Sequence, residues 1–154
     1  MNKASLLQQS FDPAGHSVGT SSNALALLGR TLIAIMFILA GVDKITGFSS
    51  TAGYIASVGL PFAELLTVLT IAMEVGAGVA LLLGFKARFA ALVLAGFTVA
   101  ASVLFHNYWA LPADQAYVQQ LMFIKNMAIV GGLLMVSALG TGNWAVQKHA
   151  EPRI

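Results

Sequence analysis

The sequence lacks cysteine and is poor in charge, since only 9% of its 154 residues are Asp, Glu, Lys or Arg. The missing cysteine excludes disulfides, thiolate nucleophiles and iron–sulfur ligation by thiolates. An average soluble domain has roughly 25% charged residues. The eight Lys and Arg residues form no basic run, so nucleic acid is not an expected partner. Because 58% of the residues are apolar, we expect the lipid bilayer to be the main partner.

Four hydrophobic stretches are long enough to cross the hydrocarbon layer, which takes about 20 helical residues for roughly 30 Å. The helices are predicted at residues 24–42, 62–83, 87–105 and 121–139. The sequence therefore predicts an all-α membrane protein with a four-transmembrane-helix bundle at residues 24–140. A polar N-terminal segment, 1–23, is expected before the bundle and a tail, 141–154, after it.

The cations predict an orientation for this bundle. With four spans, both ends of the chain and the connection between the second and third helices lie on one side of the membrane. Most of the cations lie on or nearest this side: Lys3, Arg30, Lys86, Arg88, Lys148 and Arg153. Because cytoplasmic segments carry an excess of Lys and Arg, we expect this side to be cytoplasmic. Both termini are then cytoplasmic.

Small residues recur at every fourth position on the second and third predicted helices. They are Ala72, Gly76, Ala80 and Gly84 on the second helix, and Ala87, Ala91 and Ala95 on the third. Small residues let two helix backbones approach closely in lipid. We therefore expect these two stripes to face each other.

Two ionisable residues, Arg30 and Glu74, lie well away from the outer ends of their predicted spans, where a charge costs about 2.5–3.5 kcal/mol on insertion scales. Glu74 lies near the middle of the second helix, and Arg30 reaches a similar depth on the first. We predict a buried Arg30–Glu74 ion pair. The pair could be structural and fix the helix register, or Glu74 could handle a proton or a ligand.

Further polar residues gather at the opposite, outer ends of the helices. An outer polar cluster is predicted from Asp43, Glu64 and Asn107, and the candidates for lining a pocket are Lys44, His106, Lys125 and Asn126. Side chains near helix ends can also simply reach to the membrane interface, which is the competing interpretation for Asp43 and Glu64.

His106 is the histidine of interest, because His16 and His149 fall on the other side of the membrane. That separation argues against a haem held by two histidines. A metal site needs three or four ligands, and we predict none. A quinone needs only one or two donors to its carbonyls and an apolar slot, and His106, Lys125 or Asn126 could supply those donors. Quinone is therefore the one cofactor under consideration.

Several short sequences follow one another in a characteristic order between about residues 25 and 139. They are Gly41-Val-Asp-Lys-Ile-Thr-Gly-Phe48, Val58-Gly-Leu-Pro61, Met73-Glu-Val-Gly-Ala-Gly78, Leu82-Leu-Gly-Phe-Lys-Ala-Arg88, His106-Asn-Tyr-Trp109 and Phe123-Ile-Lys-Asn126. Together they resemble the DoxX family of bacterial four-helix inner-membrane proteins. The resemblance implies a multi-pass protein of the bacterial inner membrane. The family is named after a small subunit of a thiosulfate–quinone oxidoreductase, and some members are linked to redox or stress complexes.

The resulting hypothesis is an accessory subunit, or a small quinone- or lipid-binding protein, of a redox- or stress-linked membrane assembly. Its expected partners are subunits of such a complex or further copies of itself. The alternatives are a small-solute or proton-coupled transporter in which Glu74 titrates, and a structural scaffold without catalysis. Whether the protein is an enzyme stays open at this point.

Overall fold

The structure is a computed structural model that describes residues 20–142 and 144–146. Its helices are α1 (Thr20–Thr46), α2 (Phe48–Ser57), α3 (Ala63–Leu83), α4 (Ala87–Phe105) and α5 (Ala113–Leu139), with one 3₁₀ turn at Tyr108–Ala110. The predicted segment 1–23 and tail 141–154 lie largely outside the described residues, and so do Lys3, His16, Lys148, His149 and Arg153.

Four of these helices, α1, α3, α4 and α5, are long and apolar enough to cross a membrane. The prediction of an all-α bundle with four spans is therefore confirmed. Large apolar side chains cover its outer surface, and Leu32, Leu39 and Phe89 are each more than half exposed. Such a surface suits lipid, where an exposed leucine is not penalised. The orientation of the bundle stays a prediction.

The fifth helix begins eight residues before its predicted start at residue 121, at Ala113. Asp114 lies in its first turn, where a carboxylate interacts favourably with the positive end of the helix dipole. The polar residues of this first section had indicated a loop. The additional turns include Gln119, which lies within hydrogen-bond distance of His106 at the end of α4.

A short helix that the sequence did not predict, α2, follows α1 after a single residue. It buries Ala52 and Ile55 and packs against the start of α3. On its other side, the ring of Tyr54 lies 5.3 Å from the ring of Phe105 at the end of α4. The helix therefore bridges one end of the bundle, which we call the α2 end.

Helices α1 and α3 approach each other closely at two glycines. A methyl group placed on Gly41 would lie 2.5 Å from Val75 Cγ2, and one on Gly78 would lie 3.0 Å from Ile38 Cγ1 and 3.4 Å from the carbonyl oxygen of Ala34. Glycine at both positions thus lets the backbones meet, as small residues do in membrane bundles. These contacts fix the register of α1 against α3.

The predicted pairing of two small-residue stripes is wrong for Ala72 and Gly76 on α3, whereas Ala80 is half-buried and packs against the core. Ala72 and Gly76 are exposed, and a methyl placed on Gly76 would have no neighbouring atom within 4 Å. On α4, Ala87, Ala91 and Ala95 are buried in the core. Helix α3 turns Gly78, and not Gly76, towards α1, where it lies against Ala34 and Ile38.

Candidate functional site

Glu74 forms an ion pair with Lys44, near the end of α1. The Lys44 ammonium lies 3.0 Å from Oε1 and 3.0 Å from Oε2 of Glu74, and it also donates to the carbonyl oxygen of Ala40 at 3.2 Å. The Glu74 side chain is 6% exposed and that of Lys44 is 28% exposed. Glu74 starts about 16 Å into α3 at 1.5 Å per residue, near the middle of that span. Glu74 therefore lies near the middle of its span, and Lys44 pairs with it from the last turn of α1.

Arg30 does not contact Glu74, which corrects the predicted pairing. Its guanidinium donates from Nη1 to the carbonyl oxygen of Thr141 at 3.2 Å and from Nη2 to that of Trp144 at 2.8 Å. The glycine contacts between α1 and α3 place Arg30 beside Gly84, at the end of the bundle opposite α2. Arg30 is 2% exposed, so it is buried as predicted. Its hydrogen bonds hold the segment that follows α5.

The ion pair forms part of the wall of a cavity of about 570 Å³, which we call the α2-end cavity. Four helices contribute most of its lining: Phe37 and Ala40 from α1, Ile55 from α2, Met73 from α3, and Phe97 and Ala101 from α4. Most of this lining is apolar. Because it uses the first half of α3 and the second half of α4, the cavity occupies the half of the bundle that α2 covers.

Two exposed leucines are among the residues that line the cavity. Leu69 on α3 is 49% exposed and Leu104 on α4 is 44% exposed. Both lie on the apolar outer surface, so the cavity wall includes residues that lipid can contact.

A chain of hydrogen bonds connects α4 and α5 beside this cavity. Asn126, which lines the cavity, donates from Nδ2 to Ser102 Oγ at 2.9 Å, and Ser102 donates to the carbonyl oxygen of Thr98 at 2.6 Å. Ser102 is fully buried. The Asn126 amide is thus already used in part to hold α5 against α4.

His106 also lines the cavity and is held by α5. Its Nδ1 lies 2.7 Å from Oε1 of Gln119. An amide oxygen can only accept, so Nδ1 carries the hydrogen of this bond. In the neutral ring, Nε2 is then an acceptor and not the donor that the sequence had suggested for a quinone carbonyl.

A shallower recess of about 430 Å³ lies on the other side of the α1–α2 junction, and we call it the Lys44 recess. It is lined by Asp43 and Ser50 and shares Lys44, Thr51 and Tyr54 with the α2-end cavity. Lys44 therefore lines both spaces, and the recess is the more polar of the two.

The structure brings together only some of the residues predicted for the site. Lys44, Glu74, His106 and Asn126 line one cavity, whereas Lys125 is exposed and does not line it. The predicted outer polar cluster does not form one group around the cavity. Glu64 is exposed, Asp43 lines only the recess, and Asn107 accepts a backbone hydrogen bond in the 3₁₀ turn.

Sequence reasoning missed the contributions of α2 and of the start of α5. Thr51 and Tyr54 of α2 line the cavity, and Gln119 of α5 hydrogen-bonds to His106. The motif Gly41–Phe48 marks the junction of α1 and α2, but it gave no reason to predict a helix after Gly47. Within the described ranges, no group of three or more His, Cys, Asp or Glu side chains could hold a metal ion.

These features define a four-span helical membrane protein with a lipid-facing cavity and a buried ion pair. Residues 25–107 match the model of the DoxX family, which is more than half of the chain. The chain belongs to the DoxX family, as the sequence motifs had predicted.

Two relatives from Escherichia coli extend this result. The chain is 39% identical to "Inner membrane protein YqjF" over 122 residues, which are 79% of this chain and 88% of that protein. It is 32% identical to "Inner membrane protein YphA" over 124 residues, covering 80% of this chain and 89% of that protein. With its four apolar helices, the protein is a multi-pass protein of the bacterial inner membrane.

A more distant similarity reaches beyond bacteria. The chain is 28% identical over 127 residues to a Surfeit locus protein 4 homolog of Schizosaccharomyces pombe, covering 81% of this chain but 37% of that protein. No solved structure matches the chain.

Proposed function

We propose that this DoxX family protein binds a small amphiphilic molecule of the membrane, of the quinone or lipid class, in its α2-end cavity. The observation that carries the proposal is the cavity itself. Its volume of about 570 Å³ falls in the range of roughly 300–1,000 Å³ that small-molecule sites occupy. Such sites combine an apolar lining with a few polar groups, here Lys44, Glu74 and His106.

The exposed leucines in the lining support a ligand that arrives through lipid. Between Leu69 and Leu104, an apolar tail could remain in the bilayer while the head group reaches the polar wall. The wider role, as an accessory subunit of a redox- or stress-linked assembly, rests on the family resemblance alone.

Filling the cavity tests the proposal. Ala101 lines the cavity on α4, so Ala101→Phe should occupy ligand space. Val103 is on the same helix, is 48% exposed and does not line the cavity, so Val103→Phe adds the same ring towards lipid.

The full chain, purified in mild detergent from its own membrane, would be extracted with organic solvent and the extract analysed by mass spectrometry. We expect one amphiphile at near-equal molar amount in the wild-type protein and in Val103→Phe, and its loss in Ala101→Phe. Equal retention by all three proteins, or no specific amphiphile in any, would contradict the proposal.

A second candidate function, a proton-coupled transporter, is favoured by one observation. Lys44 borders both the polar recess and the cavity that Glu74 lines, which puts polar groups on a route from the membrane surface to mid-span. Proton flux into proteoliposomes that disappears with Glu74→Gln would support transport. If neither ligand nor flux is found and the variants change only expression, the scaffold interpretation stands.

A further inference from the structure

The wall of the Lys44 recess contains a carboxylate that no described cation neutralises. Asp43 lines the recess and is exposed, and it forms no ion pair with another residue in the described ranges. Its neighbour Lys44 directs its ammonium to Glu74 and to the carbonyl oxygen of Ala40. Because Lys44 and Glu74 neutralise each other, the recess keeps the negative charge of Asp43.

Two hydroxyl groups of the recess have already used their hydrogens within the protein. Thr51 Oγ1 donates to the carbonyl oxygen of Gly47 at 3.1 Å, and the Tyr54 hydroxyl donates to that of Phe105 at 3.4 Å. A hydroxyl that has donated keeps its lone pairs, and a carboxylate can only accept. The recess is therefore rich in acceptors.

These acceptors can be reached from outside the protein. Asp43, Ser50 and Tyr54 are all exposed, and polar atoms form a large share of the recess surface. The volume of about 430 Å³ is many times the roughly 30 Å³ that a water molecule occupies in the liquid. A small polar group can thus enter the recess without displacing a side chain.

The distribution of charge over the bundle also favours a cation at this end. Among the described residues, the half that contains the α2-end cavity has four carboxylates and two ammonium groups: Asp43, Glu64, Glu74, Asp114, Lys44 and Lys125. The charged residues described in the other half are all cations: Arg30, Lys86 and Arg88. Such a separation of charge attracts positively charged molecules to the α2 end.

We propose that the Lys44 recess is a second binding site that takes a primary ammonium group, carried either by a lipid head group or by a small water-soluble amine. A primary ammonium group combines a positive charge with three N–H donors, which suits a negative recess rich in acceptors. A trimethylammonium group has the same charge but no N–H donor, and Asp43 repels an anionic group. The proposal does not depend on a ligand in the α2-end cavity.

The preference should be modest, because ion pairs that are open to solvent contribute little free energy. We expect a primary ammonium group to bind about fivefold more tightly than a trimethylammonium group, which is the upper end of what exposed ion pairs provide.

Two matched pairs of probes separate the chemistry from its source. Phosphatidylethanolamine and phosphatidylcholine with the same oleoyl chains differ only in whether the head-group nitrogen carries hydrogens or methyl groups. Ethanolamine and choline repeat this comparison without a lipid. The full chain in a non-ionic detergent would receive the two lipids in equal amounts, and native mass spectrometry would count the retained molecules. Saturation-transfer NMR would compare the two soluble amines.

The lipid pair reports on a head group, and the soluble pair reports on a free amine. We expect the wild-type protein to prefer the primary ammonium about fivefold in at least one pair, and Asp43→Asn to bind both members of that pair alike. Glu64→Gln changes an exposed carboxylate that does not line the recess, so it should keep the wild-type preference.

A second pair of variants tests the recess without changing a charge. Ser50→Phe should fill the recess and abolish the preference, whereas Ser49→Phe adds the same ring at a neighbouring exposed position that does not line it. Circular dichroism would verify that all variants keep their helicity.

Two results would overturn the proposal. One is equal binding within both probe pairs by the wild-type protein, and the other is an unchanged preference in Asp43→Asn and Ser50→Phe. Ala101→Phe, which fills the α2-end cavity, should keep the preference for the primary ammonium. Failure of the proposed cavity ligand and failure of the recess site are therefore separate results.

Discussion

Replacing Lys44 by methionine should destabilise the protein far more than replacing its partner Glu74 by leucine. Lys44→Met leaves a carboxylate that is 6% exposed, in mid-span and without its counter-ion. Breaking a buried pair by removing one partner costs about 3–5 kcal/mol. Glu74→Leu instead leaves an ammonium that is 28% exposed and can turn towards the Lys44 recess, so its cost should be on the order of 1–2 kcal/mol.

Removing both charges should restore most of the stability. Exchange of a buried ion pair for apolar residues of similar volume is often neutral or favourable, so the double variant should lie within about 1 kcal/mol of the wild-type protein. Helicity followed by circular dichroism during unfolding in mixed micelles with increasing dodecyl sulfate would give the free energies of unfolding.

The matched control combines Arg30→Met with Glu74→Leu. These residues do not touch, because Arg30 hydrogen-bonds to the carbonyl oxygens of Thr141 and Trp144. The two effects should add without a coupling energy. Coupling between Arg30 and Glu74, together with additivity between Lys44 and Glu74, would refute the pairing described here.

Three further outcomes follow from the fold. Gly41→Val should lower the free energy of unfolding by about 1–3 kcal/mol, because a methyl placed there would lie 2.5 Å from an α3 side-chain atom. Gly29→Val, at a position with open space, should have little effect on packing. Equal losses of stability in the two variants would argue against the α1–α3 contact. Arg30→Gln should speed hydrogen exchange at Thr141 and Trp144 and their described neighbours, because charged hydrogen bonds worth about 1.5–3 kcal/mol each are lost. Unchanged exchange would show that these hydrogen bonds do not hold the segment after α5. Since the chain has no cysteine, Lys86→Cys and Asp114→Cys each introduce a single site for labelling in intact cells. A maleimide that cannot cross the membrane should modify only the cysteine at 114. Modification of only the cysteine at 86 would mean that the orientation is the reverse of the predicted one.

The four spans could be predicted from the sequence because length and hydropathy alone determine whether a helix can cross lipid. Glu74 was also found correctly as a buried charge from its cost in that setting. Its partner could not be chosen, since Arg30 and Lys44 fall on the same stripe of α1. The two differ by fourteen residues, or about 21 Å along a helix, so only the register of α1 against α3 decides between them.

That register depends on which glycines face inwards, and periodicity does not reveal it. Gly76 and Gly78 are two residues apart and therefore point in different directions from α3, and only Gly76 belongs to the regular spacing of small residues at positions 72, 76, 80 and 84. The sequence favoured Gly76, whereas the structure uses Gly78 opposite α1. Contact with a partner helix thus overrides the local pattern.

The cavity wall was predicted only in part for a similar reason. Helix α2 is ten residues long and contains Ser49, Ser50, Thr51 and Gly53, a composition that indicates a loop. Packing of its buried face against α3 stabilises this helix, because its residues have little intrinsic tendency to form one. The hydrogen-bonding role of His106 depends in turn on Gln119, which the early start of α5 brings close.

An experimental structure of the full chain in lipid nanodiscs made from its own membrane tests the central claim most directly. The cavity proposal predicts density for an elongated small molecule with its head group beside Glu74 and its tail leaving between Leu69 and Leu104. A cavity that has closed by movement of α2, or one that contains only water beside an intact Lys44–Glu74 pair, would contradict it.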